Sequence, residues 1–265
     1  MKYLYGIIFL VSFKVNAQVN TGARFTGMAS TGVSISDIWS IQENQAGIAS
    51  VRKFCIALGF ARPFTGYDLR SHSAAFILPV DNNVLGVSLQ KYGTTAFEYQ
   101  RLGLTYAKSF GTQFFAAMTI NYHHLAIENY GRTQAYSIET GVQYKKGNNL
   151  SLGAHLSNPG FSSFQNDWNS VGPTRFLLGA SYNVSRKLLL AMSLDKVINE
   201  KADIKTGLEY KIIELLALRG GFSANPFKQY AGFGVNHKAL NMDVSISSQP
   251  IVGYSPQISL SYELW

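Results

Sequence analysis

The chain has a single cysteine, Cys55, among its 265 residues. One thiol excludes an internal disulfide, a CxxC redox pair and a thiolate zinc site, so Cys55 is read as a small apolar residue in a strand. Charge is sparse: 14% of residues are charged, and the Lys and Arg are scattered, often at segment ends, rather than gathered into a run. A nucleic-acid-binding protein concentrates them on one face, so nucleic acid is rejected as a partner. Beyond the first 17 residues no stretch approaches the roughly 18 consecutive apolar residues of a membrane helix, which excludes helical spans. Catalytic signatures are missing as well: there is no HExxH, GxSxG, Walker-type or EF-hand spacing. His72, His155 and His237 stand alone, and the adjacent His123 and His124 face opposite ways in an extended segment. No catalytic residue, metal or cofactor is expected.

What is present begins with Lys2, an apolar stretch from Leu4 to Phe13, and Val15-Asn16-Ala17, the layout of a secretory signal cut after Ala17. The expected organisation is a signal peptide at 1–17, a small N-terminal segment at 18–52 and one all-β domain at 53–265. Without Lys2 and Lys14, 21 basic residues face 15 acidic ones, a net charge near +6.

From residue 54 onward apolar and polar residues alternate with period two, the spacing that sends successive strand side chains to opposite faces. Leu240, Met242, Val244 and Ile246 share one face, and Asn241, Asp243, Ser245 and Ser247 the other. The pattern predicts fourteen strands, near 54–62, 73–80, 83–91, 97–108, 113–125, 134–146, 149–157, 174–185, 187–196, 203–212, 215–224, 228–237, 239–247 and 256–264. Tight turns such as Asp81-Asn82-Asn83, Gly147-Asn148 and Ser185-Arg186 alternate with longer connections at 63–72, 126–133, 158–173, 197–202 and 248–255. Short turns on one side and longer loops on the other are the habit of outer-membrane barrels, and an even strand count puts both chain ends in the periplasm.

A soluble sandwich also alternates, but its outward face is normally charged. Here the non-apolar face is rich in Gly, Ser, Asn and Gln, while Tyr106, Tyr122, Tyr136, Tyr144, Tyr182 and Tyr210 lie on the apolar face toward strand ends, where an interfacial aromatic girdle belongs. The fold class expected is therefore a transmembrane antiparallel β-barrel of about fourteen strands with a small N-terminal plug, set in outer-membrane lipid. The last segment, with Ile258, Leu260, Tyr262 and Leu264 on one face, looks like a barrel-assembly signal, with Trp265 one residue out of phase.

Residues 22–50 do not alternate and are rich in small residues. Gly22-Ala23-Arg24-Phe25-Thr26-Gly27-Met28 runs into Gly32-Val33, then Asp37-Ile38-Trp39, then Asn44-Gln45-Ala46-Gly47-Ile48-Ala49. This stretch resembles the N-terminal hatch of the FadL-like outer-membrane family, including the PorV and PorQ branch of Bacteroidota. It departs from the family pattern at Gln45, where the box has proline, and at Ala29 and Thr31, where glycines stand. The resemblance makes Gly22, Arg24, Gly27, Gly32, Asp37, Trp39, Asn44 and Gly47 the plug motif. Glycine suits a plug because it permits close backbone approach in a crowded lumen, and Ser36 or Asp37 is placed to cap a short helix at Ile38-Trp39.

The lumen-facing phase carries charges of both signs, among them Arg101, Glu139, Lys205, Glu209, Arg219 and Asp243. Mixed signs favour internal bracing over an ion-selective pore, which concentrates one sign at a constriction. Asp68, His72, Asp167 and Ser170 fall between strands, where barrel hydrolases keep such groups, with nothing to fix their geometry. In the longest loop Phe161, Phe164 and Trp168 are candidates to anchor a partner, since aromatics dominate many interfaces, and equally to fold inward as a lid over the lumen or to lie at the membrane surface. Two functions follow. The first, implied by the PorV and PorQ resemblance, is a non-enzymatic accessory or scaffold subunit docked to a type IX-like secretion or assembly machine of the outer membrane. The alternative is a FadL-like channel for small hydrophobic molecules, which needs an apolar external groove.

Overall fold

The computed structural model describes residues 22–63, 66, 68–160, 162–164, 172–249 and 253–264. The signal-peptide segment and Trp265 lie outside these residues. Alternation becomes fourteen strands: β1 (Cys55–Ala61), β2 (Arg70–Val80), β3 (Asn83–Gly93), β4 (Phe97–Phe110), β5 (Phe114–Ile127), β6 (Gly131–Lys146), β7 (Leu150–Ser157), β8 (Arg175–Asn183), β9 (Leu188–Val197), β10 (Asp203–Ile213), β11 (Leu216–Ala224), β12 (Phe227–His237), β13 (Leu240–Gln249) and β14 (Gly253–Glu263). Each strand pairs antiparallel with its chain neighbours, and β1 pairs with β14 from Cys55↔Glu263 to Ala61↔Gln257, which closes the sheet into a barrel without edges.

The period-two pattern sorts side chains between two environments. Outward are Leu58, Leu104, Ile120, Met192 and Ile204, each more than half exposed. A continuous apolar belt of this kind is unsuited to water and suits bilayer hydrocarbon. Inward are small and polar residues, and among the described residues no helix is long and apolar enough to cross a membrane.

Several strands outrun their predicted ends. The connection expected at 126–133 shrinks to 128–130, that at 248–255 to 250–252, and β2 starts at Arg70 rather than near 73. The reason is chemical: His72, Arg132 and Gln134 put polar residues on the outward phase above the lipid belt, so the alternation fades while the ladder hydrogen bonds continue. Apart from the segments at 62–69 and 158–174, the connections on this rim are therefore short too.

The apolar core lies inside the barrel, around the N-terminal segment. A five-residue helix, α1 (Ala23–Gly27), and three 3-10 turns at Gly32–Ser34, Ile38–Gln42 and Gln45–Ser50 coil across the lumen. The helix packs on β11 to β14, the first turn on β7 to β9, the second on β1 to β3 and the third on β3 to β6. Phe25, Met28, Trp39, Ile41 and Ile48 are wholly buried and meet inward Ala57, Ile77, Val84, Ala107 and Phe115 from the wall. This hydrophobic cluster joins the segment to the wall on most sides.

Candidate functional site

The seat of the plug is made by glycines of the wall. A side chain at Gly153 of β7 would lie 2.1 Å from the carbonyl oxygen of Val33, one at Gly141 of β6 2.0 Å from Asn44 Oδ1, and one at Gly207 of β10 2.4 Å from the carbonyl oxygen of Met28. Plug backbone thus runs directly against wall backbone, and hydrogen bonds hold it there. Gln143 Nε2 donates to the carbonyls of Val33 (3.0 Å) and Ile35 (3.1 Å), and Thr26 donates to Gln257.

A chain of charges crosses from plug to wall. Arg24 Nη1 lies 2.7 Å from Asp37 and its Nη2 2.8 Å from Glu209; Glu209 also meets Arg219 Nε at 2.7 Å, and Arg219 Nη1 meets Asp243 at 2.7 Å. Two plug-motif residues and three lumen-facing residues therefore form one network. Asp37 also caps the second 3-10 turn, taking a bond from the Trp39 amide in a reciprocal box with Ser40.

The remaining motif residues serve packing. Gly22 lies against Trp39, Gly32 against Phe25, Gly47 against Ser40, and Gly27 approaches Gly232 of β12. Asn44 caps the third turn and donates to the carbonyls of Val33 and Val142. Arg101 pairs with Glu139 at 3.2 Å, and Lys205 joins Asp195, which also holds Arg175.

Partners invisible to a one-dimensional reading fill the space between. Gln45, in the box position of proline, donates to Glu139 at 2.6 Å, and His155, which stands alone in the sequence, lies 3.3 Å from the same carboxylate. His123 is held between Tyr99 and Ser137, 2.7 Å from each. The inward phase of β5 and β7 was the one available signal for both histidines. Among the described residues no group of three or more His, Cys, Asp or Glu is placed to hold a metal ion.

Phe161 and Trp168 lie outside the described residues, whereas Phe164 is buried at 7% exposure. Phe164 is turned into the protein, the inward course that the loop aromatics could take as readily as a partner-facing one.

A feature that no motif announced is a groove of about 820 Å³ on the outer wall over β14 and β1 to β5. Register explains it: Ala74 of β2 stands between Leu58 of β1 and Leu89 of β3 on the lipid-facing side, and a methyl between two isobutyl groups leaves a depression. Leu102 and Leu260 extend this apolar row, and in the next row Ile258 and Phe60 lead to His72, Lys91 and Gln100, which give the groove a more polar end. The volume lies within the roughly 300–1,000 Å³ of small-molecule pockets.

Solved monoaromatic hydrocarbon channels share this fold. CymD, a monoaromatic hydrocarbon channel, superposes with a TM-score of 0.71 at 11% identity over 94% of this chain and 98% of its own. The Ralstonia pickettii toluene transporter TbuX gives 0.68 at 11% identity over 91% and 97%, and a Pseudomonas aeruginosa FadL homologue 0.64 at 10% over 92% and 98%. No family model and no curated protein matches the sequence. The FadL-like resemblance of the N-terminal stretch thus agrees with the fold, while the finer PorV and PorQ placement rests on that stretch alone.

A second cavity, about 420 Å³, opens beneath the plug at the rim where β1 begins and β14 ends. Arg24, Asp37, Glu209, Arg219 and Asp243 line it with Arg52, Lys53, Lys211 and Glu263, so this end of the lumen is a charged vestibule and the wall groove an apolar one.

Proposed function

We propose that the protein is a non-enzymatic outer-membrane barrel that takes up small apolar molecules, with the wall groove around Ala74 as their first binding site. The observation that carries this reading is the groove itself, an apolar depression on the lipid-facing wall. Its support from outside is the fold shared with channels described for toluene and monoaromatic hydrocarbons. In this reading the short-turn rim and both chain ends face the periplasm, and passage inward requires the plug to shift from its glycine seat.

The test is photolabelling with a diazirine-bearing benzene on the full barrel in a bilayer. Saturable labelling concentrated at Leu58, Ala74 and Leu89, competed by excess toluene and lost in Ala74→Phe, is the expected result. Uniform, uncompeted labelling around the whole apolar belt contradicts it.

One observation favours the second reading, an accessory or scaffold subunit of a type IX-like secretion or assembly machine: the plug is braced by ion pairs on both sides of Arg24, as a closed barrel used for docking would be. A stoichiometric protein partner recovered with the native barrel would decide for it.

A further inference from the structure

The charge of the chain is not evenly spread over the barrel. The rim of short turns comprises the run into β1, the turns 81–82, 111–113, 147–149, 184–187, 214–215 and 238–239, and the end of β14. Within three residues of these points lie nine Lys and Arg against three acids, Asp81, Glu214 and Glu263. From residue 18 onward the whole chain has a net charge of +6, so this rim carries all of it, and the lumen and opposite rim together balance to zero.

Five of the nine cations, Lys108, Lys146, Arg186, Lys187 and Lys238, are exposed on the outer side or on the turns, and among the described residues none of the five is in an ion pair. On the opposite rim Lys91 pairs with Glu98 and Arg70 with Asp68, and the exposed Arg62, Arg132 and Lys201 share that rim with Glu128 and Glu200. The other four, Arg52, Lys53, Lys145 and Lys211, stand around the mouth of the lumen.

The outward cations sit beside exposed aromatics. Lys108 follows Tyr106 on the lipid-facing phase and holds its ammonium 5.5 Å from the Phe110 ring centre; Lys146 follows Tyr144, and the turn with Arg186 and Lys187 follows Tyr182. Aromatic rings flanked by cations mark the headgroup level of a bilayer. We propose that this rim binds the phosphate headgroups of anionic phospholipids in the leaflet beside it, which fixes the depth and orientation of the barrel. The inference rests on the membrane setting of the barrel and is independent of whether the groove takes up a ligand.

The experiment places the full barrel in nanodiscs of phosphatidylcholine with a minority of phosphatidylglycerol and identifies, by native mass spectrometry, the lipids retained on extraction. Enrichment of phosphatidylglycerol by about fivefold over its bilayer share is expected, the worth of one favourable basic contact with an anionic surface. Raised salt, or the combined change Lys108→Gln, Lys146→Gln, Lys187→Gln and Lys238→Gln, returns it to that share, whereas Arg62→Gln with Arg132→Gln, Lys196→Gln and Lys201→Gln leaves it unchanged. If the first combination fails to fold by heat-modifiable migration, the salt dependence of the unmodified protein decides. Retention in proportion to the bilayer, equal loss with the opposite-rim changes, or a salt-released acidic protein in place of lipid overturns the proposal.

Discussion

Gly153 and Ala29 show how single residues set the fit of the plug, in opposite senses. A methyl at 153 would meet the Val33 carbonyl at 2.1 Å, which backbone on both sides makes hard to relieve. Gly153→Ala is expected to cost about 1–3 kcal/mol of overpacking, read as a lower thermal midpoint and earlier proteolysis within 22–51. Ala29 and Ser30 instead hold φ values of 58° and 54°, where a side chain is strained. Ala29→Gly is expected to stabilise by about 1 kcal/mol in the same assay, by removing that strain. Glu43 adds a pH term. Burial pushes its carboxyl up to about 7, despite the opposing fields of Arg175 and Lys205 and with Asp195 adding to the rise. The folded chain keeps this proton after the unfolded chain has lost it, so the contribution of Glu43 to stability is full below about pH 4.5 and declines as pH rises toward 7. The loss is about 3 kcal/mol at most, and Glu43→Gln should flatten the dependence of the thermal midpoint between pH 5 and pH 8. Of these residues only the glycine-rich, mixed-sign character of the lumen was legible in advance; which glycine meets which carbonyl depends on strand register, which spans residues far apart in sequence.

Among the elements, the plug is joined to the wall by the charge chain through Arg24, and that chain cannot lose one member cheaply. Arg24→Gln leaves Asp37 without a guanidinium and Glu209 with Arg219 alone. Removing one partner of a fully buried pair costs about 3–5 kcal/mol because a desolvated charge remains, and Arg24, 21% exposed at the vestibule, is expected to cost less. The expected outcome is protease sensitivity of the plug in a barrel that still migrates as folded, partly restored by adding Glu209→Gln. The strands themselves were nearly fully legible, because period-two alternation is enforced by lipid on one side and the lumen on the other. Their upper ends were not, since above the lipid belt the outward face turns polar at His72 and Arg132 while pairing continues. The short 3-10 turns had one legible boundary, the cap at Asp37, because capping is local chemistry. Gln45 was visible only as a departure from a proline box. Its bond to Glu139 depends on β6 standing opposite the third turn.

For the whole molecule, closure of fourteen strands around an N-terminal plug creates what no segment contains: a groove on the outer wall from β14 to β5 and a charged vestibule at the short-turn end of the lumen. The groove was illegible because it arises from Ala74 sharing a row with Leu58 and Leu89 across three strands. Whether this groove receives small apolar molecules is decided by native mass spectrometry of the barrel purified from its own membrane in mild detergent. One equivalent of a small apolar molecule is expected on the unmodified protein and none on a folded Ala74→Phe variant. A barrel that carries no such molecule and leaves the membrane with a stoichiometric protein partner would contradict it.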